Sequence, residues 1–234
     1  QEFLDLLHLL FLIFEIRKMQ LNNYIDHTSL KPTATSKDII QLCKEAKEHQ
    51  FYAVCVNGCY VETAKMELGE SSVKIAAVVG FPLGAMSTIS KIEEAKEAVF
   101  RGADEIDMVM NIGWVKSEEI KKAEAEIFQI KKSIGNKILK VIIETCYLSE
   151  EEKIKACKAA MNAGADFVKT STGFGTGGAT FEDVKLMKKV VGNKVKIKAS
   201  GGIKDSETAK KFIDLGADRL GTSAGITIIS KENK

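Results

Sequence analysis

Proline is almost absent from this sequence, with Pro32 and Pro82 the only two among 234 residues. No proline-rich linker and no low-complexity stretch divides the chain, so a second domain is not indicated. Histidine is also scarce, at His8, His27 and His49. The cysteines are Cys43, Cys55, Cys59, Cys146 and Cys157, an odd number at irregular spacings. Cys55 and Cys59 lie four apart, but too few histidines accompany them to complete a zinc pattern. Reduced thiols in a cytoplasmic protein are expected, with no structural metal and no cofactor. Charge of one sign is lacking too. The 34 Lys and Arg residues are mixed with 32 Asp and Glu, for a net charge of +2. That gives no concentrated basic face for nucleic acid. Finally, no apolar run approaches the roughly 20 residues a membrane span requires.

The first eighteen residues, QEFLDLLHLLFLIFEIRK, do not match the rest of the chain. Residues 9–14 are wholly apolar, yet the early charges are Glu2 and Asp5, and no small-residue cleavage site comes after them. A secretory signal would have a basic start and a small-residue exit. Residues 1–18 read as a leader from an upstream start or a vector-derived segment. A hydrophobic docking or membrane-surface segment is the alternative. The body is expected to run from 19 to 234.

From Asn22 onward, short β-rich runs alternate with longer amphipathic ones. The β-like runs cover 24–28, 52–57, 73–80, 105–111, 138–145, 166–172, 195–200 and 218–223. Helical runs fall near 36–50, 60–70, 88–101, 117–134, 149–163, 180–191 and 205–215, with a short last helix after Ser223. Ser36, Ser149 and Asp205 stand as helix-start signals. The triplet Gly-Ala-Asp recurs at 102–104, 164–166 and 216–218, each time closing a helix and opening a strand. Its glycine suits the left-handed cap that ends a helix. Strands alternating with helices imply parallel pairing. Eight such units predict a single-domain α/β fold, a (β/α)8 TIM barrel. A doubly wound open sheet is the alternative, weakened because no GxGxxG follows the first strand.

In such a barrel the chemistry sits at the C-terminal ends of the strands. Lys169 interrupts the apolar run FVKTSTG, and Lys198 falls near the end of the next strand in KIKAS. Burial and a neighbouring ammonium both lower a lysine pKa and free the amine as a nucleophile. Lys196 shares a face with Lys198, and position relative to the strand end favours Lys198. Lys140 and Lys196 are expected to point outward as solvated charges. Asp107, in EIDMVMN, could relay protons to a lysine or serve as a structural ion-pair partner. Glycines cluster in STGFGTGG, SGGI and GTSAG, after strands six, seven and eight. Backbone N–H groups there can approach an anion, so a small phosphorylated molecule with an attackable carbonyl is implied.

The motifs IDHTSLKP (25–32), VVGFPLG (78–84), EIDMVMNIG (105–113), FVKTSTGFGTGGAT (167–180), KASGGI (198–203) and RLGTSAG (219–225) carry a resemblance. Over about 21–230 the chain resembles the deoxyribose-phosphate aldolases, a class I, Schiff-base family. The resemblance implies reversible cleavage of 2-deoxy-D-ribose 5-phosphate to D-glyceraldehyde 3-phosphate and acetaldehyde. It implies Lys169 as the Schiff-base residue, and Lys198 and Asp107 as proton donors and acceptors. It also implies substrate contacts at Thr28, Cys55, Thr170, Gly173, Gly201, Gly202 and Ser223. No nucleic acid or membrane partner is expected for the body of the chain, while a homodimer or higher homo-oligomer is allowed for. Some members carry a C-terminal tyrosine that assists proton transfer, and this sequence has none after Tyr147. The remaining alternatives are another Schiff-base aldolase and a non-catalytic sugar-phosphate-binding barrel.

Overall fold

The structure is a computed structural model that describes residues 20–230. The segment 1–18 and the last four residues of the expected body therefore lie outside the described residues. The strands are β1 (Ile25–Ser29), β2 (Ala53–Asn57), β3 (Lys74–Val79), β4 (Glu105–Val109), β5 (Ile138–Ile142), β6 (Phe167–Lys169), β7 (Lys196–Ser200) and β8 (Arg219–Thr222). Between them run α1 (Ser36–Glu48), α2 (Val61–Leu68), α3 (Thr88–Phe100), α4 (Ile112–Lys116), α5 (Ile120–Ser133), α6 (Glu150–Asn162), α7 (Phe181–Val191) and α8 (Ser206–Asp214), and α9 (Gly225–Ser230) comes after β8. Each strand pairs in parallel with the next, and β8 pairs with β1, which closes the barrel. The open-sheet alternative is thereby excluded.

Local chemistry explains the helix boundaries. Thr35, not Ser36, caps α1, in a reciprocal pair with Asp38. Ser149 and Asp205 cap α6 and α8 as expected. The single helix expected over 117–134 is two. Asn111 accepts the N–H of Trp114 and starts α4 early, and Glu118 then turns to φ 62 and breaks the run before α5.

The Gly-Ala-Asp triplets solve one geometric problem three times. Gly102, Gly164 and Gly216 take φ 113, 80 and 105, open to glycine and strained for other residues. Asp104, Asp166 and Asp218 then clasp the preceding strand. Their carboxylates accept the N–H of Ile75, Leu139 and Ile197 at 3.1, 2.8 and 2.9 Å. Their own N–H groups donate to the carbonyls of the same three residues at 2.8, 3.0 and 2.8 Å. The corner before β2 has the same shape with different residues. Phe51 donates to the Ala46 carbonyl as Ala103 does to that of Ala98, and Gln50 occupies the glycine position at φ 52.

The main core fills the space between sheet and helices, with Ile39, Val54, Ile75, Ile106, Ile127, Val168 and Ile197 among its buried members. A smaller apolar group lies apart from it: Leu30, Cys55, Ala76 and Val78. Many of the other inward positions are charged, and these build the site.

Candidate active site

Side chains two apart on a strand share a face. Glu105 and Asp107 therefore project together from β4. Register sets Lys140 of β5 beside Asp107, and Lys198 of β7 beside both Lys169 of β6 and Arg219 of β8. Asp26 of β1 is aligned with Gly221. That glycine makes room, since a Cβ there would stand 3.1 Å from Lys198 Cε. Seven charged side chains thus meet inside the barrel, each no more than 5 % exposed.

Asp107 is the hub. Its Oδ2 accepts from Lys169 and Lys198, each at 2.8 Å, and its Oδ1 from Lys140 at 2.7 Å. Lys198 also bonds Asp26, which Arg219 reaches at 2.8 Å. Lys140 reaches Glu105 at 2.5 Å, and Arg219 stands 3.5 Å from the same carboxylate. Lys140, Lys198 and Arg219 each face two carboxylates at close range, whereas Lys169 faces only Asp107.

That difference sorts the lysines. Burial lowers the pKa of each one, because the charged form loses its water. For Lys169 burial prevails: one shared carboxylate does not offset it, and Lys198 adds repulsion. Its pKa falls. For Lys198 and Lys140 the paired carboxylates overcome burial and the pKa rises. Burial would raise Asp26, but Lys198, Arg219 and Lys140 hold it at about 2. Asp107, against the same burial, is held well below the usual carboxylate range by Lys140, Lys169 and Lys198. The effect of Lys198 on Lys169 has the expected sign, but burial ranks first among the causes.

Above this network opens a cavity of about 940 Å³. Among the seven charged groups, Lys169 alone lines it. Its rim carries Gly173, Gly201, Gly202 and Ser223, together with Thr28, Thr172, Ser200 and Lys204. Gly173, Gly201 and Gly202 all take positive φ, near 86, 88 and 84, a backbone form that turns N–H groups toward an anion. Thr28 donates its hydroxyl to the Asp26 carbonyl at 2.8 Å, beside the network.

One expectation needs correction, and two expected contact residues lie off the cavity wall. Lys140 does not point outward: it is fully buried beneath Asp107, while Lys196 is exposed at the opposite strand end. Thr170 does not line the cavity. It follows Lys169 and so takes the other face of β6, where its hydroxyl bridges the Ser200 backbone, donating at 3.2 Å and accepting at 3.1 Å. Cys55 is also outside the cavity lining, in the small apolar group, close enough to Lys198 and Lys169 to feel both charges, and burial pushes its thiol up.

A buried amine with a lowered pKa under a glycine-rich rim is an arrangement that Schiff-base chemistry can use. The profile of the DeoC/LacD family aldolases matches residues 21–231. The chain belongs to that family. A curated relative from Bdellovibrio bacteriovorus, named deoxyribose-phosphate aldolase, is 58% identical over 211 residues, covering 90% of this chain and 96% of the relative. The solved structure of QR15, an aldolase, superposes with a TM-score of 0.89 at 44% identity, over 92% of this chain and 96% of that one. The deoxyribose phosphate aldolase from Aeropyrum pernix, described as a unique tetramer, gives 0.82 at 29% identity, over 92% and 91%.

In this aldolase several site residues escaped sequence reasoning: Asp26, Glu105, Lys140, Arg219 and Lys204. The first four are charges within or at the edge of a strand, which is a signal of the inward face but not of the partner that each one meets there. Lys204 follows the glycines of SGGI and brings a cation to the rim, where no carboxylate pairs with it among the described residues. No helix among the described residues is long and apolar enough to cross a membrane.

Proposed function

We propose that this aldolase cleaves 2-deoxy-D-ribose 5-phosphate reversibly to D-glyceraldehyde 3-phosphate and acetaldehyde, through a Schiff base on Lys169. The observation that carries this reading is the place of one lysine of the barrel network, which opens onto the cavity and faces a single shared carboxylate. Of the three lysines in the barrel network Lys169 alone lines the cavity, and its pKa falls while those of Lys140 and Lys198 rise. The relatives' shared name supports the substrate. The glycine rim and Lys204 suit its phosphate.

The neutral amine of Lys169 attacks C1 of the open-chain sugar, and loss of water gives an iminium. A water held by Asp107 and Lys198 takes the proton of the C3 hydroxyl and later returns it to C2. The C2–C3 bond breaks, its electron pair enters the iminium to form an enamine, and glyceraldehyde 3-phosphate leaves. Protonation at C2 and hydrolysis of the new iminium release acetaldehyde and restore the amine. Lys198, held as an ammonium by Asp26 and Asp107, supplies the acid, a contribution of about 10²–10⁴-fold. Asp107 stays ionised and holds the two amines in place through its shared oxygen.

Acetaldehyde with cyanoborohydride should leave one N-ethyl group, on Lys169, when peptides are mapped. Labelling at Lys198 instead, or an active enzyme that resists labelling, would overturn the assignment. The panel that separates other Schiff-base aldolases is simple, since only the proposed substrate releases acetaldehyde.

Self-association and a cytoplasmic setting complete the reading. Phe100 is 90% exposed, and Met66, Ile89 and Phe128 are also exposed on α2, α3 and α5. A second copy covering these side chains would remove apolar surface from water. All five cysteines are unpaired, in keeping with a reducing compartment.

A further inference from the structure

Glu144 lies just past β5 and has no part in the chemistry above. Its backbone is left-handed, at φ 49 and ψ 68, which a residue with a side chain adopts only when its surroundings hold it there. The residues on either side continue the sheet, with the N–H groups of Ile143 and Thr145 donating to the Lys169 and Thr170 carbonyls, each at 3.0 Å. The twist between them aims the buried Glu144 carboxylate away from the network and into the loop after β6. There it accepts the Thr172 N–H at 3.1 and 3.3 Å, and the Thr172 hydroxyl on Oε2. The same hydroxyl accepts the Phe174 N–H at 3.0 Å. Gly175 closes the wrap, since a Cβ on it would come within 3.3 Å of Glu144 Cδ and 2.8 Å of Cys146 Sγ.

The loop on either side of Gly173 is therefore folded around one carboxylate. Gly173 is part of the anion-binding rim, and Thr172 lines the cavity beside it. We propose that Glu144 is a positioning residue: it fixes the β6 loop so that the rim grips phosphate, and thereby sets the preference for phosphorylated over unphosphorylated sugars. This inference rests on the aldolase reading above. A carboxylate near a phosphate site is unfavourable on charge alone, so positioning and electrostatics predict opposite signs when the charge is removed.

Glu144→Gln keeps the shape and one acceptor oxygen, but the NH2 that replaces the other oxygen cannot accept from Thr172, so one of its bonds to the carboxylate is lost. The experiment compares kcat/KM for 2-deoxyribose 5-phosphate and for 2-deoxyribose, and measures glycerol 3-phosphate binding by calorimetry. The ratio of the two kcat/KM values should fall about tenfold, and the glycerol 3-phosphate Kd should rise by a similar factor, the scale of one lost hydrogen bond to a charged group. An unchanged ratio, or tighter glycerol 3-phosphate binding, would overturn the proposal. Should the parent protein cleave neither sugar, the substrate reading fails, and the Kd comparison still decides the role of Glu144. If Glu144→Gln does not fold, Gly175→Ala takes its place. It crowds the same carboxylate and should lower the ratio, and an unchanged ratio there would equally sink the idea.

Discussion

Replacing Lys198 with leucine removes one of the two positive charges on Asp107 Oδ2 and should make the Lys169 amine harder to free. Both amines stand 2.8 Å from that oxygen. Two donors on one acceptor sit about 4–5 Å apart, and unit charges at that spacing repel by about 3–4 kcal/mol at an effective dielectric of about 20. Asp26 bonds the same Lys198 amine and cancels part of its field. A net effect of about half, or 1.5–2 kcal/mol, corresponds to a ten- to thirtyfold smaller neutral fraction of Lys169. The carboxylates left behind keep partners, Asp26 with Arg219 at 2.8 Å and Asp107 with Lys140 at 2.7 Å, so the barrel should still fold. The assay is the rate of N-ethylation by acetaldehyde and cyanoborohydride, monitored by mass spectrometry across the neutral and alkaline range. It needs no turnover, so the loss of Lys198 as an acid does not obscure it. A lysine with a lowered pKa gains neutral amine as pH rises. The variant should therefore lag most at the acid end and catch up at the alkaline end, where both proteins are deprotonated. Lys196→Leu, at the exposed end of the same strand, is the control and should label like the parent. A Lys198→Leu protein labelled as fast as the parent at every pH would refute the coupling of the two amines.

Two further outcomes are expected from the buried charges and the barrel corners. Lys140→Met leaves Glu105 facing only Arg219, at 3.5 Å, and should cost about 3–5 kcal/mol in urea unfolding, the scale for stranding one member of a buried pair. Adding Glu105→Gln should recover part of that loss, and strict additivity of the two changes would argue against the pairing. Gln50→Gly should stabilise the protein by about 0.5 kcal/mol, because relief at φ 52 outweighs the extra freedom gained by the unfolded chain. The check is a higher urea midpoint at an unchanged slope, and a lower midpoint would mean that the Gln50 side chain matters.

The barrel was legible because its corners repeat. Gly-Ala-Asp states the same turn three times, and the eight apolar runs between helices allow little else. The helix boundaries were less legible where side chains compete for backbone donors. Asn111 starts α4 before the periodic pattern begins, and Thr35 caps α1 ahead of the equally suitable Ser36. In the site, Lys169, Lys198 and Asp107 stood out because each breaks an apolar strand near its C-terminal end. Thr170 could have been placed from alternation alone, since the neighbour of an inward lysine faces outward. Lys140 could not. Its inward face is readable, but the benefit of burial depends on Glu105 and Asp107 lying beside it, and that comes from the register of β4 against β5. Glu144 gave even less, because its role depends on a backbone twist that no residue type announces.

The charge count inside the barrel sets one lysine apart from the others. Three carboxylates, Asp26, Glu105 and Asp107, share the interior with four cationic side chains, Lys140, Lys169, Lys198 and Arg219. Uncompensated buried charge is costly, so the interior is best balanced when one cation gives up its proton. Arginine does not do so at any ordinary pH. Lys140 and Lys198 each face two carboxylates and hold their protons tightly. Lys169 shares one carboxylate with two other ammonium groups and opens onto the cavity, so it is the group that yields. On the proposed mechanism the surplus cation and the nucleophile are the same residue, and the six charges around it are what would make its amine available to a carbonyl.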